Sequence, residues 1–450
     1  MAVTSRPPVS FSSGGWSRSP GGLAPIVSKA LDARGGAWVS WDGGGRGNAP
    51  PRRIDGLNFD IYTFSMSRPQ ADAFYAGYSN RTLWPLFHDG VVPPVFNREW
   101  WKPYQDAAKA FTLAATIAGK RLPGRPTYWI QDYHLLLTPR LMREAGVDNP
   151  ISFFLHTPFP APSIYRRLPQ REEILLGLGG ADLVGFHTRG DAERFGGAWA
   201  EFGFGAAPRT VVVPASIDFD AFSAQAANPH TRRMAEILRG RLGNRILLFG
   251  VERLDYTKGI PERLAALEYL LDRRPDLRRR IVYVQVAPPS RERVPEYQQL
   301  RADVERAVGR LNGRFTSPGH DVPFRYIHRA VSQSQLMAYY VAADVALVTP
   351  LRDGMNLVAK EYVVSQAAVK GAGALVLSEF AGAADELTDA FLCNPYDVPA
   401  AATAIETAIE SAEEDRRKRL SVMAVQIQNN DILQWSDQLL RTAERDCSRH

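Results

Sequence analysis

Two basic side chains lie in the loop that follows the apolar run Ile246 to Val251, in the second half of the chain. Arg253 and Lys258 are five residues apart, and Pro261 can start a helix directly after them. In a parallel sheet such a loop lies at the carboxyl edge, where both cations can bind one anion, the arginine as a fork and the lysine as a point charge. The segment therefore favours a diphosphate ligand. The alternative is a surface ion pair between Glu252 and Arg253.

A second polar cluster, Thr349 to Tyr362, also follows a short apolar run. Gly354 permits a tight turn, and the following residues read as a helix start whose free N–H groups would face an anion. Asp353 can accept hydrogen bonds from sugar hydroxyls, and Glu361, about two helical turns later, can reach a ribose. Taken alone, the same residues could be a helix-capping Asp and a solvated Glu.

Polar residues at strand ends also occur in the first half of the chain. Asp132 and His156 each follow a short apolar run, and His156 precedes a proline-rich turn. The pair Gly21-Gly22 allows close backbone approach to a ligand, with a helix expected from about residue 23. Tyr75 and Trp84 are aromatic enough to wall a sugar. A lone histidine, a glycine pair and buried aromatics are more often structural, so these residues carry less weight by themselves.

Strands that alternate with helical stretches predict an α/β protein with parallel sheets. The predicted strands are the apolar runs 128–130, 151–155, 182–186, 210–214, 246–251, 281–286, 324–327, 345–348 and 374–377. The pattern occurs twice, so we expect two doubly wound domains, with ligands at the carboxyl ends of the strands and facing the cleft between domains. The polar stretch Ala224 to His230 reads as the linker. The predicted domains are 1–228 and 229–430, with a C-terminal helix in 431–450 that packs back on the first domain.

Composition excludes several classes of protein. The 450 residues carry a net charge of +6, a mild excess that suits a small anionic ligand as well as a nucleic acid. Two cysteines cannot build a disulfide framework, and no apolar run approaches the roughly 18 residues of a membrane span. We therefore expect a cytoplasmic enzyme without membrane association. No nucleic-acid-binding motif or compact basic run is visible.

The motifs together resemble the trehalose-6-phosphate synthase family, retaining glycosyltransferases of the two-domain GT-B type. The resemblance runs from about Arg6 to Trp435. It rests on the segments 251–259, 349–362, 132–135 (Asp-Tyr-His-Leu), 153–156 (Phe-Phe-Leu-His) and 378–383 (Ser-Glu-Phe-Ala-Gly-Ala). It implies a GT-B fold with two facing Rossmann-like domains and an active site in the cleft between them.

The resemblance also implies a reaction and its residues. Glucose moves from a nucleoside-diphosphate glucose to glucose 6-phosphate, giving α,α-trehalose 6-phosphate, with no cofactor and no metal. The implied catalytic residues are His156, Asp353, Arg253 and Lys258. The implied donor-binding residues are Gly21, Gly22, Arg253, Lys258, Val331, Asp353, Gly354, Met355, Asn356, Leu357, Val358 and Glu361. The implied acceptor-binding residues are Arg6, Tyr75, Trp84, Asp132, Thr157 and Arg291, with Arg6 and Arg291 on the 6-phosphate. Relatives often form dimers or tetramers, which leaves a homo-oligomer open.

Several positions depart from the family pattern. Thr157 stands where isoleucine is usual, and Val331 stands where some relatives have phenylalanine beside the nucleobase. The smaller valine predicts room for a purine, so GDP- or ADP-glucose could compete with UDP-glucose. The main alternative function is a pseudo-glycosyltransferase that couples a nucleotide cyclitol to an aminocyclitol phosphate, but such proteins alter the sugar-binding loop that is intact here. A non-catalytic sugar-phosphate sensor is a third possibility, against which the complete polar set argues.

Overall fold

The computed structural model describes residues 1–12, 15–18, 22–43, 49–243, 245–316 and 322–447. The chain forms two compact units, Met1–Ala215 with Ile432–His450 and Ser216–Asp431. None of the helices within the described ranges is long and apolar enough to cross a membrane.

The first unit is built on one large sheet and a small hairpin. Its strands are β1 (Ala2–Val3), β2 (Val9–Ser12), β3 (Gly15–Arg18), β4 (Ala37–Trp41), β5 (Ala49–Arg53), β6 (Asp60–Phe64), β7 (Tyr128–Gln131), β8 (Ile151–Phe154), β9 (Leu183–Phe186) and β10 (Arg209–Val212). The eight-stranded sheet has the order β10-β9-β8-β7-β1-β4-β6-β5, and all its pairs are parallel except β5 with β6. The strands leave the short central β1 in both directions, so the topological switch lies between β1 and β7, where α/β sheets bind ligands.

Helices follow the strands of the first unit. They are α1 (Leu23–Arg34), α2 (Arg68–Ala71), α3 (Trp84–Phe87), α4 (Trp101–Gly119), α5 (Thr138–Glu144), α6 (Pro162–Tyr165), α7 (Arg171–Leu178) and α8 (Arg189–Phe202), with a π-helix at Asp72–Leu83 and 3-10 turns at Arg98–Trp100 and Tyr133–Leu135. β7 and β8 are buried along their whole length, as their apolar sequences require.

The second unit has a six-stranded parallel sheet. Its strands are β11 (Ile246–Val251), β12 (Ile281–Val286), β13 (Phe324–Ile327), β14 (Val345–Val348), β15 (Ala374–Ser378) and β16 (Phe391–Cys393). The order β13-β12-β11-β14-β15-β16 is the 3-2-1-4-5-6 arrangement of a doubly wound sheet. Its switch point lies between β11 and β14, the two strands that precede the polar clusters singled out from the sequence.

The helices of the second unit begin before its first strand. They are α9 (Phe219–Ala227), α10 (Pro229–Leu242), α11 (Ile260–Arg273), α12 (Pro295–Phe315), α13 (Gln333–Ala342), α14 (Leu357–Ala368), α15 (Val398–Glu410) and α16 (Glu413–Asn429), with 3-10 turns at Tyr256–Lys258, Pro275–Arg279 and Gly382–Asp385. α17 (Ile432–Cys447) follows and belongs to the first unit, where Trp435 packs on Trp129 and Phe154.

The predicted linker was wrong. Residues 224–230 are helical except Asn228, which ends α9 and caps α10. The first boundary falls after Ala215 rather than after residue 228, because Ile217 and Ala226 are buried in the core of the second unit. Polar sequence alone misled here, since α9 exposes one face and buries the other.

Candidate active site

The loop after β11 is held against the loop after β14. The amide of Leu351 donates to the carbonyl of Thr257 across 2.8 Å. Gly259 has φ +66°, and a Cβ there would lie 2.3 Å from the carbonyl oxygen of Thr349. Only glycine tolerates both this backbone conformation and this approach. The sequence thus brings the two polar clusters together at the switch point of the second sheet.

Lys258 and Asp353 meet at this point. Lys258 Nζ lies 2.5 Å from Asp353 Oδ2, and the two side chains are only 12% and 13% exposed. Asn356 Nδ2 donates to the same carboxylate oxygen across 3.0 Å. Asn356 adopts φ +73°, a left-handed conformation that asparagine tolerates, and α14 begins at the next residue. The Lys258 ammonium, the Asp353 carboxylate and the N-terminus of the twelve-residue helix α14 therefore lie together, at a place here called the donor corner.

The remaining donor-binding candidates of the second unit differ in burial. Gly354 and Met355 are buried in the turn, whereas Leu357 and Val358 form the first turn of α14 and are half-buried. Val331 packs against the core of the second unit.

Arg253 is exposed in the loop after β11. The alternative surface pair with Glu252 is not what the structure shows, because the carboxylate of Glu252 is buried and bonds Arg263.

Glu361 lies in the second turn of α14, half-buried. The hydroxyl of Tyr340 donates to Glu361 Oε2 across 2.7 Å. Burial raises the pKa of the Glu361 carboxyl, and the hydrogen bond from Tyr340 only partly offsets this. Its neighbour Lys360 is fully buried and pairs with Glu386 at 2.6 Å. Glu361 is therefore not the solvated residue of the alternative interpretation.

Arg291 lies in the second unit, whereas the other acceptor-binding candidates lie in the first. It has φ +49°, and its Nη1 lies 3.0 Å from Oδ2 of Asp255, a carboxylate with no exposure. The Tyr297 hydroxyl donates to the same oxygen across 2.8 Å. Burial by itself would raise the pKa of Asp255, but Arg291, Lys258 and Arg253 lower it to about 2. An ionised, buried carboxylate therefore holds Arg291 in place.

In the first unit, Arg6 follows β1, is exposed, and contacts two aromatic rings. Its guanidinium carbon lies 4.4 Å from the ring centroid of Trp41 and 4.5 Å from that of Tyr75. The ring of Tyr75 stacks on His134 at 5.5 Å. A Cβ at Gly43 would come within 2.4 Å of Arg6 Nη1, so this glycine leaves space for the cation. Stacking orients the cation while leaving its N–H groups for an anion.

Asp132 and His156 follow neighbouring strands and are joined. Asp132, at φ +74°, accepts a hydrogen bond from the backbone amide of His156 across 3.1 Å. His156 Nε2 lies 2.8 Å from Oε1 of Gln131, within hydrogen-bonding distance. Burial, and secondarily the neighbouring His187, lowers the pKa of His156 well below its ordinary value. A neutral imidazole can form hydrogen bonds with a ligand but offers no positive charge to it.

The other candidates of the first unit differ in how directly the structure informs on them. Trp84 is buried in α3, against Tyr133. Thr157 is buried, and within the described residues its hydroxyl has no hydrogen-bond partner. Gly22 precedes α1, which begins at residue 23 as predicted. Gly21 lies outside the described residues.

Two residues of the second unit that hold the predicted site in place, Asp255 and Arg263, have no predicted role. Asp255 lies inside the segment 251–259. Arg263 lies in α11, on the buried stripe with Ile260, Leu264 and Leu267. A charge on an apolar stripe is the signal that could have revealed it.

The arrangement can bind anions and sugar hydroxyls. Cations lie at the carboxyl ends of both sheets, and neutral or ionised acceptors lie beside them. Among the described residues, no group of three or more His, Cys, Asp or Glu side chains could hold a metal ion.

Comparison with known proteins identifies the family. The profile of glycosyltransferase family 20 matches residues 8–445. The chain is 43% identical over 452 residues to the trehalose-6-phosphate synthase of Mycobacterium tuberculosis (strain H37Rv), covering 94% of this chain and 89% of that protein.

Solved structures agree. The chain is similar to a trehalose-phosphate synthase (UDP-forming) from Burkholderia xenovorans in complex with glucose-6-phosphate, at TM-score 0.90 and 34% identity, covering 98% and 99% of the two chains. It is similar to an E. coli protein bound with UDP-2-fluoro glucose, at TM-score 0.88 and 36% identity over 99% of each chain. A synthase studied with bisubstrate glycomimetics for glycosyl transfer with retention matches at TM-score 0.88 and 36% identity, covering 99% and 98%. These likenesses confirm the predicted GT-B fold class.

Proposed function

Because the chain belongs to glycosyltransferase family 20, we infer that it transfers glucose, with retention of configuration, from a nucleoside-diphosphate glucose to glucose 6-phosphate. The products are α,α-trehalose 6-phosphate and the nucleoside diphosphate. The observation that carries this function is the pairing of Lys258 with Asp353 beside the N-terminus of α14, at the switch point of the second sheet. One corner thereby offers a cation and helix N–H groups for a diphosphate and a carboxylate for sugar hydroxyls.

We assign the donor to the second unit. Arg253 and Lys258 bind its phosphates, and the backbone of residues 357–361 binds the leaving group. Glu361 already accepts a hydrogen bond from Tyr340, and it binds the ribose hydroxyls through the remaining lone pairs of its carboxylate oxygens. Asp353, with His156 of the first unit, binds the hydroxyls of the donor glucose.

The acceptor is assigned mainly to the first unit. Arg6, which packs against the adjacent rings of Trp41 and Tyr75, and Arg291, held by Asp255, bind the 6-phosphate. Tyr75 and Asp132 contact the sugar, and Trp84 and Thr157 shape its pocket. The hydroxyl of Thr157, for which the described part of the chain supplies no partner, suits a polar contact.

The mechanism follows from the charge that must be stabilised. The glucosyl group becomes oxocarbenium-like as its bond to the phosphate breaks, and negative charge grows on the leaving phosphate. Lys258, Arg253 and the N-terminus of α14 stabilise that charge. The acceptor attacks from the face that the phosphate leaves, and the phosphate takes the acceptor proton, which retains configuration without a protein nucleophile.

Metal independence is part of this proposal, because protein cations supply the charge that a divalent ion supplies in other transferases. Exhaustive chelation should leave turnover unchanged. Loss of turnover on chelation and its return with Mg²⁺ would refute this part alone.

The central test supplies UDP-glucose and glucose 6-phosphate. We expect UDP release in step with formation of a disaccharide phosphate whose two anomeric centres are both α by NMR. Release of UDP without a disaccharide would refute the synthase function. Turnover only with a nucleotide cyclitol and an aminocyclitol phosphate would identify a pseudo-glycosyltransferase instead.

Val331 bears on which nucleobase the sugar-nucleotide donor carries. Val331 is a small, half-buried side chain where some relatives carry a phenylalanine. We propose that GDP- and ADP-glucose serve as donors alongside UDP-glucose. Initial rates with the UDP, GDP, ADP and TDP sugars test this, and Val331→Phe should reduce the purine rates selectively. Strict dependence on UDP-glucose would refute it. A cytoplasmic location and a homo-oligomer stay predictions.

A further inference from the structure

Arg263 is a fully enclosed charged side chain beside the loops after β11 and β14, here called the donor loops. It lies in the first turn of α11, and none of its side chain is exposed. Burying a guanidinium is unfavourable unless a counter-charge and hydrogen bonds compensate. The carboxylate of Glu252 supplies that charge, 2.5 Å from Arg263 Nη1, and is itself only 4% exposed.

The guanidinium joins three separate segments: the loop after β11, the strand β12 and the loop after β14. Nη1 also donates to Gln285 Oε1 on β12 across 2.8 Å, and Nε donates to Thr349 Oγ1, directly after β14, across 2.9 Å. Nη2 donates to the backbone carbonyl of Lys258 across 3.1 Å. Arginine is suited to this because its planar fork offers five donors in fixed directions.

Two of these contacts lead directly to the donor corner. The Lys258 carbonyl belongs to the residue whose ammonium pairs with Asp353. Thr349 lies four residues before Asp353, at the base of the same turn. Arg263 therefore holds the backbone of Lys258 on one side of the ion pair and the side chain of Thr349 on the other.

We propose that Arg263 is a positioning residue for the donor diphosphate, fixing the loops of Lys258 and Asp353 in their binding geometry. This inference rests on the proposed function. A purely structural arginine would affect stability alone, whereas a positioning arginine affects donor binding specifically. Because small misplacements of binding groups are costly, we expect its replacement to weaken donor binding roughly 10- to 100-fold.

Arg263→Lys is the informative change. Lysine keeps a positive charge beside Glu252, but a single ammonium cannot reach Thr349 and the Lys258 carbonyl together. We expect a higher KM for UDP-glucose, weaker UDP binding by calorimetry and an unchanged KM for glucose 6-phosphate. Thr349→Val, which removes one acceptor and keeps the shape, should give a smaller shift in the same direction.

Arg416→Lys is the matched control. Arg416 lies in the same unit and also donates to backbone carbonyls, those of Ala372 at 2.7 Å and Ser411 at 2.9 Å, but it contacts neither donor loop. Its replacement should lower the melting temperature without changing UDP affinity.

The outcomes separate the two levels of inference. Absence of UDP binding by the unaltered protein overturns the proposed function, and this inference with it. Normal UDP binding that Arg263→Lys leaves unchanged overturns the positioning role alone. If Arg263→Lys does not fold, Thr349→Val decides, and unchanged UDP affinity in that variant counts against the role.

Discussion

The ion pair between Lys258 and Asp353 predicts that removing the carboxylate strengthens binding of UDP while it abolishes transfer. In this structure each side chain neutralises the other at 2.5 Å. A diphosphate that recruits Lys258 competes with Asp353 for the same ammonium. In Asp353→Asn this competitor is neutral, so Lys258 is available to the ligand without breaking a charge pair.

The magnitude follows from the burial of the pair. Fully exposed pairs contribute about 0–1 kcal/mol, and breaking a fully buried pair costs about 3–5 kcal/mol. At 12% and 13% exposure this pair lies between the two limits, so we take about 2 kcal/mol. At about 1.4 kcal/mol per tenfold, UDP should bind about 30-fold more tightly. The asparagine can still accept from Asn356, so the turn before α14 is retained.

Calorimetric titration of UDP into the unaltered protein and into Asp353→Asn measures this. Asp303→Asn is the control, because it removes the same charge from a surface pair with Arg306 on α12 and should not change UDP affinity. Turnover with UDP-glucose should fall severely in Asp353→Asn, since the contact to the donor glucose is lost. Unchanged or weaker UDP binding in that variant would refute the competition between carboxylate and diphosphate.

Three further changes test the surrounding structure. Asp255→Asn should lower the free energy of unfolding by roughly 2 kcal/mol at pH 7, because the pKa of Asp255 is about 2 in the folded protein against an ordinary 3.8. Since the folded-state pKa is depressed, this difference in stability between the two proteins should be lost as pH falls from about 4 to 2. A pH-independent difference in urea unfolding would contradict the ion pair with Arg291. Because the pKa of the Glu361 carboxyl is raised in the folded protein, the unaltered protein should lose stability as pH rises through that pKa, and Glu361→Gln should not. Glu361→Gln should also weaken UDP binding, and unchanged UDP affinity would exclude the ribose contact. Trp435→Ala should cost about 3–5 kcal/mol in chemical unfolding, since this buried ring packs on Trp129, and a cost under about 1 kcal/mol would show that α17 docks weakly.

The positions of strands and helices were readable from sequence because burial on both faces leaves continuous apolar runs. β11 and β12 match the predicted runs residue for residue. Helix ends were less clearly marked: α12 keeps one buried stripe from Tyr297 to Phe315, so no change of pattern shows where it ends. The pattern records which faces are buried, not where the backbone stops.

The composition of the site was readable, but its pairing was not. Lys258 and Asp353 are 95 residues apart and meet only because β11 and β14 are neighbours. Strand order depends on how helices cover the sheet, which no local pattern encodes. For the same reason the sequence could name Arg291 as a cation but could not show that Asp255 holds it.

The paired cations of the second unit also change the meaning of the protein's basic excess. In the described part of this unit, the pairs with side chains no more than 15% exposed include Lys258–Asp353, Arg291–Asp255, Arg263–Glu252 and Lys360–Glu386. Each cation has a carboxylate partner, so this region is close to neutral although the chain carries +6. A diphosphate then exchanges one ion contact for another rather than entering a strong positive field.

Salt at 0.1 M largely screens the attraction between exposed charges that are more than about 10 Å apart, but it affects buried pairs little. We therefore expect the dissociation constant of UDP to change less than about threefold between 0.05 and 0.5 M NaCl by calorimetry. An increase of about tenfold or more would mean that the exposed cations, rather than the paired ones, attract the ligand.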